Sequence, residues 1–458
     1  MTSAPALLLV VAVLQLLTVG VSAQPAVVSI HVSPSGADGP LCGASPATAC
    51  LSLRGALDQL PPAGASILLA DGTYSGVNNT NIELQPSPPL RIAAANAGAG
   101  RVVLDAEGAA GRRHFTLLMG TNSSVLPPSS SRIDIEGLTL RGGRASLAGS
   151  ILVQGDGVNL GATVRISDCV FQQNSNPAGP QVDSAGAVFV SKAVLPGSLQ
   201  SVQQQPAMVP PGPPANPMSV ISANGKPPVS PYGSATWTDA PPLPQLEEDG
   251  GTFRPAVIFR GCVFERNSFV PVSPLTGAYS AGSLAVHGSV VALLGCSFRL
   301  HTAPSYLVML LTGVGGTWVD RSTFEQGAVS SIGVTVVDVF IPQVDSAHNL
   351  LVSRTNFTAL SAQDVPLSFM ADLLGKQIGT AITHFGYSSV TLIDTLIDEN
   401  SGTALSIGAV GLFRMFGGAI SRAVSMVDSL VNLPAATSAI FSRTSFTDNG
   451  HRNRNSGT

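Results

Sequence analysis

The sequence predicts an all-β solenoid, a parallel β-helix, and three observations carry that reading. First, Phe-x-x-Asn recurs behind short apolar strands, as "FQQN" at Phe171, "FERN" at Phe264 and "FTDN" at Phe446. Second, a unit of two small residues followed by apolar ones recurs between these motifs. Third, only 11% of the 458 residues are charged, while 48 are Gly and 34 are Pro. That balance suits a turn-rich β chain. Length alone suggests two or three domains, but a repeat that stacks on itself grows without adding separate cores.

The chain opens with Ala6 to Val21, almost wholly apolar and uncharged, then Val21-Ser22-Ala23. Small residues at these positions suit a signal peptidase, so residues 1–23 are read as a signal peptide cleaved after Ala23. The alternative is a membrane anchor, but no positive flank or stop-transfer pattern follows. Later runs such as Tyr306 to Leu311 are too short to span. The expected location is therefore secreted, extracellular or cell wall. Sequons at Asn78, Asn122 and Asn356 agree with export and are candidate glycosylation sites. Cys42 and Cys50 enclose a short polar loop, and an oxidising compartment makes a local disulfide the expected state.

Residues 24–110 are read as an N-terminal strand, this loop, a capping helix and the first rungs. Leu53, Ala56, Leu57 and Leu60 share one helical face, and Pro61-Pro62 ends the helix. Such a helix covers an open sheet end that would otherwise pair with other chains.

Residues 111–450 carry the repeat. Its apolar anchors are Leu140, Phe171, Phe264, Phe298, Phe324, Phe357, Ile397 and Phe446, each preceded by a strand and a polar or Gly break. From Phe264 onward the steps, by subtraction, are 34, 26, 33, 40 and 49 residues. Fixed strands with variable loops produce such steps. The second unit appears as "AGSILV" (Ala148), "AGAVFV" (Ala185), "AGSLAV" (Ala281), "GTALSI" (Gly402) and "GGAISR" (Gly417).

Alternation places Cys169 on the same face as Phe171. Stacked rungs then pile Phe on Phe, and Cys169, Cys262 and Cys296 into a buried column. A Cys262–Cys296 disulfide fits the backbone spacing but not the side-chain direction. Asn174, Asn267 and Asn449 fall at the bend after the strand. There Asn is expected to take left-handed backbone angles and to bond its neighbour one rung away.

A stretch at about 192–254 breaks the rhythm. From Pro196 to Pro244 it holds 13 prolines, with the acidic "LEEDGG" just beyond. It reads as a disordered or polyproline-like excursion. The polar tail, residues 451–458, follows an open last rung, so further rungs are expected in a longer protein.

These motifs resemble the repeats of polymorphic outer-membrane proteins, in which a Gly-Gly-Ala-Ile strand alternates with Phe-x-x-Asn. Gly417 to Ile420 matches the first half. More broadly the chain resembles the pectin-lyase-like superfamily. That resemblance implies a right-handed coil and either surface adhesion or the cutting of acidic polysaccharide. The Asn three residues on is missing after Phe298, Phe324 and Phe357.

The chemistry expected of an enzyme is thin. The polygalacturonase-like signature is missing. Trp318-Val319-Asp320-Arg321 faintly echoes a pectate-lyase motif but lacks its His, and Trp318 reads as a core or wall residue. Asp394, Asp398 and Glu399 are the best acidic group, weak catalytic candidates whose plainer reading is a solvated bend. Asp134 and Glu136 are expected to face solvent, and His114 to sit at a surface corner. No cofactor is expected, and calcium enters only with a lyase. Neither the scattered His nor the Cys spacing suggests zinc. The net charge of −4 gives no nucleic-acid surface. Expected partners are a polysaccharide or a cell-surface or matrix protein. The sequence reading is a non-enzymatic structural or adhesive protein, with a polysaccharide lyase or glycoside hydrolase as the alternative.

Overall fold

Short apolar strands separated by polar bends leave the chain one economical packing, in which each strand pairs with its counterpart one turn away. A computed structural model describes residues 28–85, 89–96, 100–119, 132–155, 163–177, 183–191, 240–246, 253, 255–270, 279–301, 305–311, 315–325, 331–337, 348–361, 379–385, 389–408, 412–425, 431–433 and 438–451. Residues 1–23, read above as a signal peptide, Asn122, most of the Pro-rich stretch and the last residues of the tail lie outside these. The fold is a right-handed parallel β-helix. Among the described residues, a 12-stranded sheet runs from Val28–Val32 to Ser438–Ser442, and an 11-stranded sheet from Gly72–Ser75 to Ser445–Thr447. A third, also 11-stranded, starts at Ile82–Leu84. At ~4.8 Å per rung the first sheet extends over about 50 Å.

The second sheet carries the anchors, and its register is one unbroken column. Tyr74, Leu104, Leu140, Phe171, Phe264 and Phe298 pair in succession. Phe324, Phe357, Ile397, Ile420 and Phe446 continue it. Ile420 therefore splits the apparent 49-residue step, and Gly417 to Ile420 belongs to the anchor sheet, not to the small-residue unit. Five rings, Phe171 to Phe357, stack with centroids 4.6 to 4.7 Å apart and planes within 10°. All five are fully buried, each contributing about 2–3 kcal/mol of apolar burial.

The small-residue unit has a steric cause. At the start of the third sheet, a Cβ on Gly149 would collide with the Gly186 carbonyl oxygen, and one on Gly186 with that of Gly282. Only glycine allows this approach of successive rungs.

The bends are left-handed, but not at the asparagines. Asp168, Gly261, Gly295, Arg321, Arg354, Asp394, Gly417 and Arg443 form a column of positive φ three residues before each anchor. Gln173, Arg266, Glu399, Arg422 and Asp448 form another two residues after it. The left-handed angle expected at Asn174 thus falls on Gln173. Asn174 and Asn267 are buried instead. Asn267 Oδ1 accepts from the Asn174 backbone N–H at 3.0 Å and its side-chain amide at 3.1 Å, while Asn267 Nδ2 donates to the Phe171 carbonyl at 2.9 Å. Asn449 bonds the rung before it in the same way, accepting from Ala423 and donating to Ile420. After Phe298, a buried His301 takes the asparagine's place, its Nδ1 bonding the Asn267 carbonyl at 3.1 Å.

Cys169, Cys262 and Cys296 are buried free thiols. Each sulfur donates to main-chain carbonyls, such as Ile135 for Cys169 and Ile166 for Cys262, and the pairing of Cys262 with Cys296 does not occur. Burial pushes the Cys169 thiol up to about 12. Ser322, Thr355, Thr395 and Thr444 continue the column with hydroxyls that donate to equivalent carbonyls.

At the N-terminal end, the helix spans Leu53–Leu57, one turn shorter than the pattern suggested. Ser52 caps it and is held by Asp38, which accepts the Ser52 hydroxyl at 2.6 Å. Leu53 and Ala56 are buried, and Leu57 and Leu60 pack against the core. Cys42 and Cys50 form a disulfide beside them.

Candidate functional site

The outward column of the first sheet changes character along the coil. Ser66, Arg91, Asp134 and Arg165 pair in succession, and then Ile258, Ala292, Trp318 and Leu351. Asp134 and Glu136 point outward, paired with Arg132 and Arg91, while Ile133 and Ile135 are buried. The apolar middle is not left to solvent. Leu246, at the return of the Pro-rich excursion, is buried against it, and Phe253 sets its ring edge against Trp318 at 5.8 Å. Trp318 is thus a wall residue on the outer face, 7% exposed.

Two residues on, on the same outward side of the strand, lies a buried carboxylate. Asp320 ends its strand and is paired in register with Ser353. Its Oδ1 accepts from the Ser353 hydroxyl at 2.7 Å and Arg354 Nε at 2.9 Å; its Oδ2 accepts from Arg354 at 2.7 Å and Arg321 Nε at 2.9 Å. Ser353 Oγ in turn accepts from Trp318 Nε1 at 3.2 Å. Two guanidinium groups share one carboxylate, so the cluster keeps a positive charge. The chain writes this clamp as "VDRS" followed one turn later by "VSRT", but irregular loops hide which rungs are neighbours.

Beside the clamp is a pocket of about 560 Å³, bounded by Pro244 and Leu246 on one side and by Arg260, Leu294, Trp318 and Arg321 on the other. Its floor crosses Gly261 and Gly295, consecutive members of the left-handed corner column. The missing side chain of Gly295 opens the space, while the Asp168 carboxylate lies against Gly261.

Of the three acidic candidates, Asp398 and Glu399 meet at Arg422, and Asp394 stands at the other corner. Asp394 occupies the corner before its strand, at φ 49°, and Glu399 the corner after it, at φ 54°. Asp398 sits between them, held by Arg422 through both oxygens and by the Ser421 hydroxyl at 2.8 Å. Its hydrogen bonds with Arg422 hold its carboxyl below the usual carboxylate range. Arg422 also reaches Glu399 at 2.5 Å.

His114 is fully buried rather than at a surface corner. Its Nε2–H faces the carbonyls of Leu104 at 3.0 Å and Arg141 at 3.2 Å, so Nδ1 accepts from the Ser150 hydroxyl at 3.0 Å. Burial lowers its pKa to about 4, and that of His301 likewise. Both are neutral structural imidazoles at pH 7. Asp38, Cys42 and Cys50 come close enough to hold a metal ion. However, both sulfurs are spent in the disulfide and the carboxylate serves Leu51, Ser52 and the helix cap. Asn78 and Asn356 are exposed on the described surface.

No family model matches this chain, and no curated protein does. Among solved structures, a variant of sacteLam55A from Streptomyces sp. SirexAA-E in complex with glucose aligns over 90% of each chain, at 11% identity and a TM-score of 0.18. Likeness at that level carries no argument about fold or function. Among the described residues, no helix is long and apolar enough to cross a membrane.

Proposed function

We propose that this chain is exported and acts outside the cell as a non-enzymatic β-helical scaffold in a matrix, wall or adhesive surface. The observation that carries the reading is the state of its carboxylates. A glycosidase needs one carboxylic acid with a raised pKa to protonate the leaving group. Asp398 instead stays ionised against Arg422, and Asp320 is enclosed by two arginines and a serine. Each serves as a counter-ion. The motif resemblance to polymorphic outer-membrane repeats supports the adhesive reading, and the sequons at exposed Asn78 and Asn356 agree with export.

The second reading is a lyase on acidic polysaccharide, with calcium as its metal, and the arginines beside the pocket favour it. One experiment separates the two. The purified protein is offered acidic and neutral polysaccharides with and without calcium, and reducing ends and unsaturated uronate absorbance are followed. No product is expected. Product formation that is lost in Arg321→Gln or Asp398→Asn overturns the scaffold reading. For export, the mature N-terminus is expected at Gln24 by mass spectrometry of the secreted protein.

A further inference from the structure

We propose that the trough over Gly261 and Gly295 receives an extended acidic peptide segment of a partner protein. The inference rests on the adhesive reading above and names its partner chemistry. Three guanidinium groups, those of Arg260, Arg321 and Arg354, stand along this corner. Facing them are two carboxylates, Asp320 within the clamp and Asp168, whose Oδ1 lies against the space that a Gly261 Cβ would fill. Among the described residues the balance is one positive charge. The arginines already have partners in the folded chain, so an incoming carboxylate shares them, as Arg321 and Arg354 share Asp320. Planar guanidinium groups bind carboxylates in paired hydrogen bonds, which is how acidic motifs are read.

Shape selects the occupant. Two successive glycine corners at ~4.8 Å spacing give a trough along the coil axis, open at Gly295 and floored by the Asp168 carboxylate at Gly261, and Leu294 and Leu246 give it an apolar wall. Trp318 offers no bare ring face to a sugar, because Phe253 packs on it. The chain's own Pro244-Gln245-Leu246 lies at the rim with Leu246 buried, so extended backbone already runs along this edge.

The test uses the full-length protein and a labelled acidic peptide, Pro-Gln-Leu-Glu-Glu-Asp-Gly, taken from the sequence of residues 244–250, beside its Gln-Gln-Asn amide counterpart. Binding is read by fluorescence anisotropy across a salt series. The acidic peptide is expected to bind, more weakly as salt rises, and at least tenfold tighter than the amide form. Arg260→Gln with Arg321→Gln is expected to lose at least tenfold in affinity, because Asp320 keeps Arg354 and the fold. Gly295→Asn fills the trough from a position with φ +63° and nothing within 4 Å, and is expected to weaken binding at an unchanged melting temperature. No binding, equal binding of both peptides, or indifference to both changes overturns the proposal. So does an oligouronate that binds through the same arginines when the peptide does not. Catalysis on polysaccharide, read in its own assay, would defeat the adhesive reading while leaving the peptide result to stand alone.

Discussion

Asp320 and Asp398 sit in the same device at two different corners. Each ends a strand, each is in register with a serine on the next rung, and in each case the arginine after that serine adopts φ 48° and grips both carboxylate oxygens. The two differ in the residue after the aspartate. Asp320 precedes Arg321, which adds a second cation, and Asp398 precedes Glu399, which adds a second anion. Burial differs too. The Asp320 side chain is 1% exposed and lies beside the Trp318 wall, while that of Asp398 is 11% exposed; the arginines on both are about half exposed. One backbone solution to turning a corner thus yields a cationic pocket edge in one place and a neutral-to-acidic surface in the other.

The largest expected effect comes from breaking the buried clamp. Asp320→Ala leaves the Ser353 hydroxyl and two part-exposed guanidinium groups without their acceptor, and is expected to cost about 1–3 kcal/mol in denaturant unfolding. Asp398→Ala is expected to cost distinctly less and to lose much of its effect in high salt, since screening reaches an exposed pair. An equal cost at both sites would erase the distinction.

Acid comes next. His114 and His301 have folded pKa values lowered to about 4, against about 6.5 when unfolded. As pH falls, the unfolded chain binds protons first. Their stabilisation is therefore complete above pH ~6.5 and lost between there and pH ~4, by about 3 kcal/mol for each group. Asp398 behaves in the same sense but lower, its contribution lost only as pH falls from the ordinary carboxylate range through its depressed folded value. His301→Asn restores Phe-x-x-Asn at Phe298 and is expected to fold while flattening the slope between pH 6.5 and 4. An unchanged slope would place the acid sensitivity elsewhere.

The smallest expected effect on stability is Arg321→Glu, which copies the second clamp onto the first. Arg354 still holds Asp320, so the change should stay within about 1 kcal/mol. Binding of the acidic peptide should vanish.

The anchor column was legible because phenylalanine is conspicuous and its strand short. Tyr74, Leu104 and Ile420 belong to the same column but carry commoner apolar residues, and Ile420 comes after two glycines that mimic the small-residue unit. The asparagines pointed to the corner correctly, yet the left-handed residue is the one before them. The amide is more useful buried, where it satisfies the neighbouring rung, than at a strained φ that Gln, Arg or Asp can take while facing water. His114 looked exposed because Arg112 and Arg113 precede it; its burial depends on carbonyls from Leu104 and Arg141. The two clamps were harder still. Their halves lie 33 and 23 residues apart, and only the recurrence of Ser-Arg at Ser353, Ser421 and Ser442 hinted at them.

The three sheets share one further property. Their interstrand hydrogen bonds all run along the coil axis, because the strands cross it. A load applied from end to end therefore meets these bonds one rung at a time, like a zipper. A load applied across the coil meets many in shear. Pulled lengthwise in a single-molecule trap, the molecule should extend in steps, each turn of roughly 30 residues releasing about 100 Å of chain. Compressed, it should behave as a strut. The orientation in which such a coil is anchored decides whether it props two surfaces apart or gives way between them as a shock absorber.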